Sequence, residues 1–304
     1  MKKEFKNNCF LAILFALITI FGESYKKINS WNYVWQNITR SILLLCIYFL
    51  LYLILVYVLR IIFKKLITRN NPKSIFKIFD KHPFIFPFII ILICWLPFII
   101  IKYPGTPGWD FHHFMNNYYN FDKGLTHHFP LVYVYICGYF IKFGQFINHV
   151  NIGLFLLTIF HTLFMLVSFS LTFCYLKKWN INYQFRLFLL LFYSLNPLFL
   201  NYSTVIYHDI IYSSLVLIYI LIITDILSKN ASKKIYIIFS IISLLICLTR
   251  KNGIFIVLPT NLMLFFYQNK NYKIIFFLPI IIFFFSNFIF SLKYTKTSIL
   301  EALS

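Results

Sequence analysis

The chain has 304 residues, of which 61% are hydrophobic and only 12% are charged. A soluble domain carries roughly 25% charged residues, so this composition excludes an ordinary water-soluble globular protein. The formal net charge of +20 does not indicate nucleic-acid binding, because the basic residues stand in short links between apolar runs. There they fix the orientation of the helices and contact lipid head groups. We therefore expect membrane lipids, and no nucleic acid, among the partners.

Apolar runs long enough to cross a membrane follow one another along the chain. A hydrocarbon core about 30 Å thick requires roughly 20 residues of helix, and the clearest runs are 41–63, 82–102, 150–176, 186–204, 209–227, 235–250, 253–269 and 273–292. With an uncleaved first helix near residues 9–21, they predict an all-α fold, a polytopic transmembrane bundle of about nine spanning helices. The whole of residues 1–304 is expected to form a single transmembrane domain.

The orientation follows from the basic link 60–81, in which Asp80 is the only acid. The positive-inside rule makes this link cytoplasmic, so the N-terminus is also cytoplasmic and helix 82–102 runs outward. Residues 103–149 then form an outer-face loop with interfacial helices inserted in it. Lysine and glutamine interrupt the run 131–147, which we interpret as interfacial or re-entrant rather than spanning.

In this topology three polar clusters share the outer face, and we expect them to meet in one pocket: residues 103–130, 207–209 and 250–252. The first cluster begins at Tyr103 with a loop of two prolines and two glycines that ends at Trp109 and Asp110. A carboxylate at head-group level can be partly desolvated, which suits Asp110 to general-base catalysis. A solvated acid that only stabilises a turn is the open alternative.

The same cluster contains two pairs of adjacent histidines, His112-His113 and His127-His128. Neighbouring positions on a helix point about 100° apart, so neither pair is a ready-made chelate. We interpret these histidines as hydrogen-bond partners of head groups or of a phosphate. No cofactor is expected, and a divalent metal remains an alternative.

The second cluster, His208 and Asp209, opens an apolar run. Ionisable residues at the ends of membrane helices are site candidates by default, although an acid at a helix N-terminus also stabilises the helix dipole. The third cluster is Arg250, Lys251 and Asn252, on the side that the positive-inside rule disfavours. The planar fork of arginine matches a phosphate; side chains that snorkel to lipid head groups are the alternative.

Four motifs occur in order over about residues 80–270: Tyr103-Pro104-Gly105 followed by Asp110, His127-His128-Phe129-Pro130, Asn196-Pro197 ahead of Asp209, and Arg250-Lys251-Asn252-Gly253. This ordered set resembles a family of uncharacterised bacterial polytopic membrane proteins that look like glycosyltransferases of the GT-C class. The chain departs from the pattern at Phe129, which separates the histidine pair from the proline. It departs again at His208, where the resemblance leads us to expect a lysine.

The resemblance implies a multi-pass enzyme of the bacterial plasma membrane. It would transfer a sugar from a polyprenyl-phosphate-linked donor to a cell-envelope acceptor at the outer face. By the same resemblance the catalytic residues would be Asp110, as the base, and Asp209, which would orient the acceptor or the phosphate. Arg250 would stabilise the leaving lipid phosphate. The other residues expected to bind substrate are Lys251, Asn252, His127, His128, Tyr103, Trp109 and His208.

Two other functions stay open at this point. A transporter or flippase for a lipid-linked or anionic substrate would line a path with ionisable residues, for which the runs offer His161 and Asp225. An inactive remnant is the other alternative, because relatives continue beyond residue 304. We expect that a truncated member would need a second polypeptide to supply the missing C-terminal helices.

Overall fold

A computed structural model describes residues 2–67, 77–119, 130–228, 231–267 and 274–285. It confirms the all-α class. The helices are α1 (Lys2–Ile28), α2 (Asn32–Gln36), α3 (Ile38–Leu66), α4 (Lys77–Lys81), α5 (Ile85–Ile101), α6 (Phe111–Tyr119), α7 (Leu131–Phe146), α8 (Val150–Lys178), α9 (Tyr183–Leu195), α10 (Pro197–Tyr202), α11 (His208–Leu227), α12 (Lys233–Thr249), α13 (Ile254–Tyr267) and α14 (Ile274–Phe285). Two-residue strands, β1 (Thr106–Pro107) and β2 (Val205–Ile206), pair in parallel.

The chain divides into two compact units, and the first, residues 1–71 with 180–182, is built on a hairpin of α1 and α3. Two polar contacts tie these helices together: the Thr19 and Tyr52 hydroxyls are 2.8 Å apart, and the Tyr48 hydroxyl donates to Glu23 Oε1 at 2.5 Å. No residue of α3 is buried. That exposure is expected of an apolar helix whose side chains face lipid.

The second unit, residues 72–179 with 183–304, has its core between α7, α8, α11 and α12. Large side chains from these helices, among them Tyr133, Leu157 and Phe239, are fully buried. Helices α7 and α8 approach closely because glycines face each other. A Cβ on Gly144 would lie 3.0 Å from the backbone of Gly153. Small residues at such crossings are typical of helix packing in membranes.

Four helices in the described ranges are long and apolar enough to cross a membrane: Asn7–Ile28, Ile38–Leu66, Val150–Lys178 and His208–Leu227. Four others are apolar but shorter: Ile85–Ile101, Tyr183–Leu195, Ile254–Tyr267 and Ile274–Phe285. The expected count of about nine spans is therefore not supported.

The run 186–204 shows why an apolar stretch need not be one helix. Helix α9 ends at Leu195, and a new helix, α10, begins at Pro197. Proline has no N–H to continue α9, but it is well suited to the first turn of a new helix. The Asn196 side chain caps that new helix by accepting a hydrogen bond from the Leu198 N–H at 2.9 Å.

Candidate functional site

The small sheet joins the first polar cluster to the second. Strand β1 lies in the loop that leads to Asp110, and β2 ends three residues before Asp209. The Thr106 N–H donates to the Thr204 carbonyl at 2.8 Å, and the Gly108 N–H donates to the Ile206 carbonyl at 3.0 Å. Loops about 100 residues apart in sequence are thus held side by side by backbone hydrogen bonds.

Two threonines one turn apart on helix α8 donate hydrogen bonds to the same two loops. Thr158 Oγ1 donates to the Pro104 carbonyl at 3.0 Å, and Thr162 Oγ1 donates to the Ser203 carbonyl at 2.6 Å. Gly105 permits the first contact, because its φ is +117° and an added Cβ would lie 2.0 Å from Thr158 Oγ1. The position of both loops therefore depends on a glycine and a pair of buried hydroxyls.

Asp110 accepts a hydrogen bond from the Tyr207 hydroxyl, at 3.3 Å to its Oδ2 atom. Partial desolvation raises the pKa of the Tyr207 phenol, and the negative charges of Asp209 and Asp110 raise it further. The phenol therefore stays protonated at neutral pH and can donate. Tyr207 links the first carboxylate to the second cluster.

Asp209 forms an ion pair with Arg250, with 2.7 Å between the carboxylate Oδ1 and the guanidinium Nη1. The two side chains are 32% and 39% exposed as a whole, although the Asp209 Oδ1 atom itself is buried. The contact is close by distance, but it lacks the geometry of a directed hydrogen bond. The guanidinium also lies over the Tyr212 ring, 5.4 Å from its centroid. Arginine has five N–H donors, so this pairing leaves others for a ligand.

His208 lies in the interior rather than on the open surface. Its ring packs against Phe114, Tyr133 and Tyr207, with centroid separations of 5.5, 5.8 and 4.6 Å. Its Nε2 atom is 3.4 Å from Asp209 Oδ1. We conclude that His208 supports Asp209 from the protein side, and any ligand would reach it past that carboxylate.

An apolar groove of about 350 Å³ begins beside these groups and is lined by α8, α10 and α11. Tyr207 and Asp209 contribute polar atoms to its lining, which otherwise consists largely of apolar side chains such as Phe169, Phe199 and Leu217. Leu217 is eight positions beyond Asp209 on α11, which corresponds to about 12 Å along the helix axis. The groove therefore extends from Asp209 along α11, past Ser213 and Ser214, to Leu217.

The other expected site residues are distributed differently. Trp109 is 92% exposed, Asn252 is exposed, and the half-exposed Tyr103 packs its ring against Phe155 with centroids 5.1 Å apart. His127 and His128 lie outside the described residues, and so does the side chain of Lys251. In the part of the chain that is described, no three His, Cys, Asp or Glu side chains come together as potential metal ligands.

Several residues of this arrangement were not singled out from the sequence. Thr158, Thr162 and Tyr212 are the clearest, and Tyr133 is another, since its hydroxyl lies 2.8 Å from His161 Nε2. The threonines follow a detectable signal, because polar residues at 158, 161, 162, 168 and 172 of α8 are separated by three, four or seven positions. Such a stripe marks one helix face.

Comparison with known proteins adds one finding. A family model described as a family of unknown function (DUF6020) matches residues 122–300, more than half of the chain. The chain belongs to this family. Asp209 and Arg250 lie within the DUF6020 match, whereas Asp110 precedes it. No curated protein and no solved structure matches the chain. The DUF6020 description names no activity, so it fits an uncharacterised membrane protein and gives the GT-C resemblance no support.

Proposed function

We propose that this protein is a membrane glycosyltransferase that transfers a sugar from a polyprenyl-phosphate-linked donor to a cell-envelope acceptor at the outer face of the membrane. One observation carries the proposal. Two carboxylates and an arginine from three distant segments, Asp110, Asp209 and Arg250, gather around Tyr207, and Tyr207 and Asp209 also line an apolar groove. A lipid-borne phosphate requires such a combination of a cation and an adjoining apolar space.

In the proposed reaction Asp110 takes the proton of an acceptor hydroxyl. The acceptor oxygen forms a bond to the anomeric carbon of the donor sugar, and the bond from that carbon to the phosphate oxygen breaks. Negative charge then develops on the departing polyprenyl phosphate, next to Arg250. A preorganised cation at that point lowers the energy of the transition state. The GT-C-like arrangement and a larger number of membrane spans belong to this proposal.

Tyr207 and Asp209 act as positioning residues in this scheme. The Tyr207 hydroxyl fixes one oxygen of Asp110, which leaves the other oxygen for the acceptor. Asp209 fixes the Arg250 guanidinium, and its charge prevents the arginine from binding anions indiscriminately. Correct placement of two reacting groups contributes much of the rate of a bimolecular reaction.

The test is sugar transfer by the purified chain in liposomes that contain polyprenyl-phosphate-linked radiolabelled sugars, with a cell-wall extract as acceptor. Asp110→Asn should abolish transfer while it leaves the binding of unglycosylated polyprenyl phosphate unchanged. Arg250→Gln should weaken that binding. Lys102→Gln, which removes an exposed cation near the same loop, is the matched control for charge. Full transfer by Asp110→Asn would exclude Asp110 as the base.

A transporter or flippase for a lipid-linked substrate is the second candidate, and buried His161 favours it. This histidine lies within the long helix α8 and is fully buried. Its Nδ1 atom is 2.7 Å from the Leu157 carbonyl, which can only accept, so Nδ1 donates there, and its Nε2 atom is 2.8 Å from the Tyr133 hydroxyl. His161→Gln should stop lipid translocation if this function holds, and should leave sugar transfer largely intact under the first proposal.

A further inference from the structure

Three donor side chains converge at the turn of the α1–α3 hairpin, in the first unit of the chain. Lys27 belongs to the last turn of α1, Tyr33 lies in α2, and Arg40 stands in the first turn of α3. Lys27 Nζ donates to the Tyr33 hydroxyl at 3.5 Å, and Arg40 Nη1 donates to the same oxygen. Both cations also lie over the Tyr33 ring, at 4.8 and 5.1 Å from its centroid.

Lys27, Tyr33 and Arg40 have more hydrogen-bond donors than their contacts with one another use, so the remaining donors are available to a ligand. The Tyr33 oxygen has two lone pairs, and the two cations occupy both, so its hydroxyl hydrogen must donate elsewhere. Lysine has three N–H donors and arginine has five. In the described part of the hairpin no carboxylate pairs with Lys27 or Arg40, and Glu23 is engaged by Tyr48. The hydrogen bonds from Arg40 and then Lys27 lower the pKa of the Tyr33 phenol, which reports the local excess of positive charge.

Lys27, Tyr33 and Arg40 lie where two candidate membrane helices end, which indicates that they face the lipid head groups. Lys27 and Arg40 stand at the adjacent ends of Asn7–Ile28 and Ile38–Leu66, both long and apolar enough to cross a membrane. Trp31 and Trp35 flank Tyr33 and are 64% and 63% exposed. Exposed tryptophans beside the end of a membrane helix are typical of the head-group layer. We therefore expect the three donors at the depth of lipid phosphates.

We propose that Lys27, Tyr33 and Arg40 form a binding site for a phosphate group, supplied by the head group of an anionic phospholipid. The arginine and the lysine provide charge from two helices, and the tyrosine hydroxyl provides a directed hydrogen bond from the segment between them. A bound phosphate bridges both ends of the hairpin turn. This site is independent of the proposed sugar transfer, because all its residues belong to the α1–α3 unit.

The test uses the full-length chain in detergent and measures retention of phosphatidylglycerol by native mass spectrometry, with phosphatidylcholine as the zwitterionic reference. Lys27→Gln and Arg40→Gln should each weaken phosphatidylglycerol binding about fivefold, the effect of losing one direct hydrogen bond to the phosphate. Tyr33→Phe removes the hydroxyl alone and should weaken binding to a smaller extent. Lys26→Gln is the matched control, because it removes the same charge from the neighbouring position of α1 and should leave binding nearly unchanged.

Inorganic phosphate provides the second arm of the experiment. Displacement of phosphatidylglycerol by inorganic phosphate in the wild type supports recognition of the phosphate group itself. Binding of inorganic phosphate without any binding of phosphatidylglycerol would overturn the assignment to lipid. Equal weakening by Lys26→Gln and Lys27→Gln would overturn the site altogether, because it would show only diffuse charge attraction. Thermal unfolding of every variant verifies that the chain is folded.

Discussion

Gly105→Ala should destabilise the protein, and the structure gives the magnitude. At φ +117° an L side chain is strained, which costs about 1 to 3 kcal/mol. The new Cβ would also lie 2.0 Å from Thr158 Oγ1, so the threonine must turn away. That movement breaks its hydrogen bond to the Pro104 carbonyl, worth about 1 kcal/mol. We expect a total loss of about 2 to 4 kcal/mol in the free energy of unfolding.

Thermal unfolding with a thiol-reactive dye measures this loss, since Cys137 and Cys247 are buried in the folded chain and react once it unfolds. Gly22→Ala is the matched control, because no atom lies within 4 Å of its added Cβ. In the middle of helix α1 the same substitution should be neutral or stabilise by up to about 1 kcal/mol.

A double variant separates the two contributions. Thr158→Ala alone removes a hydroxyl and its hydrogen bond to Pro104. Gly105→Ala with Thr158→Ala removes the overlap, adds the backbone strain and loses the same hydrogen bond only once. The double variant should therefore lose less stability than the sum of the two single variants. Equal unfolding temperatures for Gly105→Ala and Gly22→Ala would refute the described backbone of the loop and its contact with α8.

Three further predictions concern the same region. A double-mutant cycle of Asp209→Asn and Arg250→Gln, measured by unfolding, should give a coupling free energy of only about 0.2 to 1 kcal/mol, because water screens a partly exposed ion pair. A much larger coupling free energy would mean that the pair is buried. Asn196→Ala should cost about 0.5 to 2 kcal/mol through the lost cap of α10, whereas no change would contradict the helix break. Because the pKa of Tyr207 is raised on folding, its phenol stabilises the fold below the pKa of the unfolded chain and loses this contribution as pH rises beyond it. The difference in unfolding temperature between wild type and Tyr207→Phe should therefore diminish above about pH 10, and a constant difference would contradict the shift.

Hydropathy and length were sufficient to predict the long helices. The runs 41–63, 150–176 and 209–227 correspond to α3, α8 and α11, with bounds that differ by a few residues. These segments are local, since a long apolar stretch satisfies its backbone hydrogen bonds only as a helix in lipid. The same reasoning predicted more spans than the described helices support. It did not use Pro197 as a helix break, and it counted runs such as 82–102 whose helix is 17 residues long.

The candidate site could be predicted only in outline. Ionisable residues at the ends of apolar runs drew attention to Asp110, Asp209 and Arg250, and the structure links these segments through Tyr207 and the Asp209–Arg250 ion pair. The contacts that make this possible join groups that are distant in sequence. They are the backbone pairing of β1 with β2 and the hydrogen bond from the Thr158 side chain to the Pro104 carbonyl. Hydropathy carries no information about such pairings.

Photoaffinity labelling with a benzophenone-tagged polyprenyl phosphate tests the proposed site and its substrate class most directly. We predict that the label attaches to the groove between α8, α10 and α11, in peptides that contain Phe169, Phe199 or Leu217. Arg250→Gln should reduce this labelling, and Lys102→Gln should not. Labelling that is spread over the lipid-facing surface of α3, or that is indifferent to Arg250, would contradict the account.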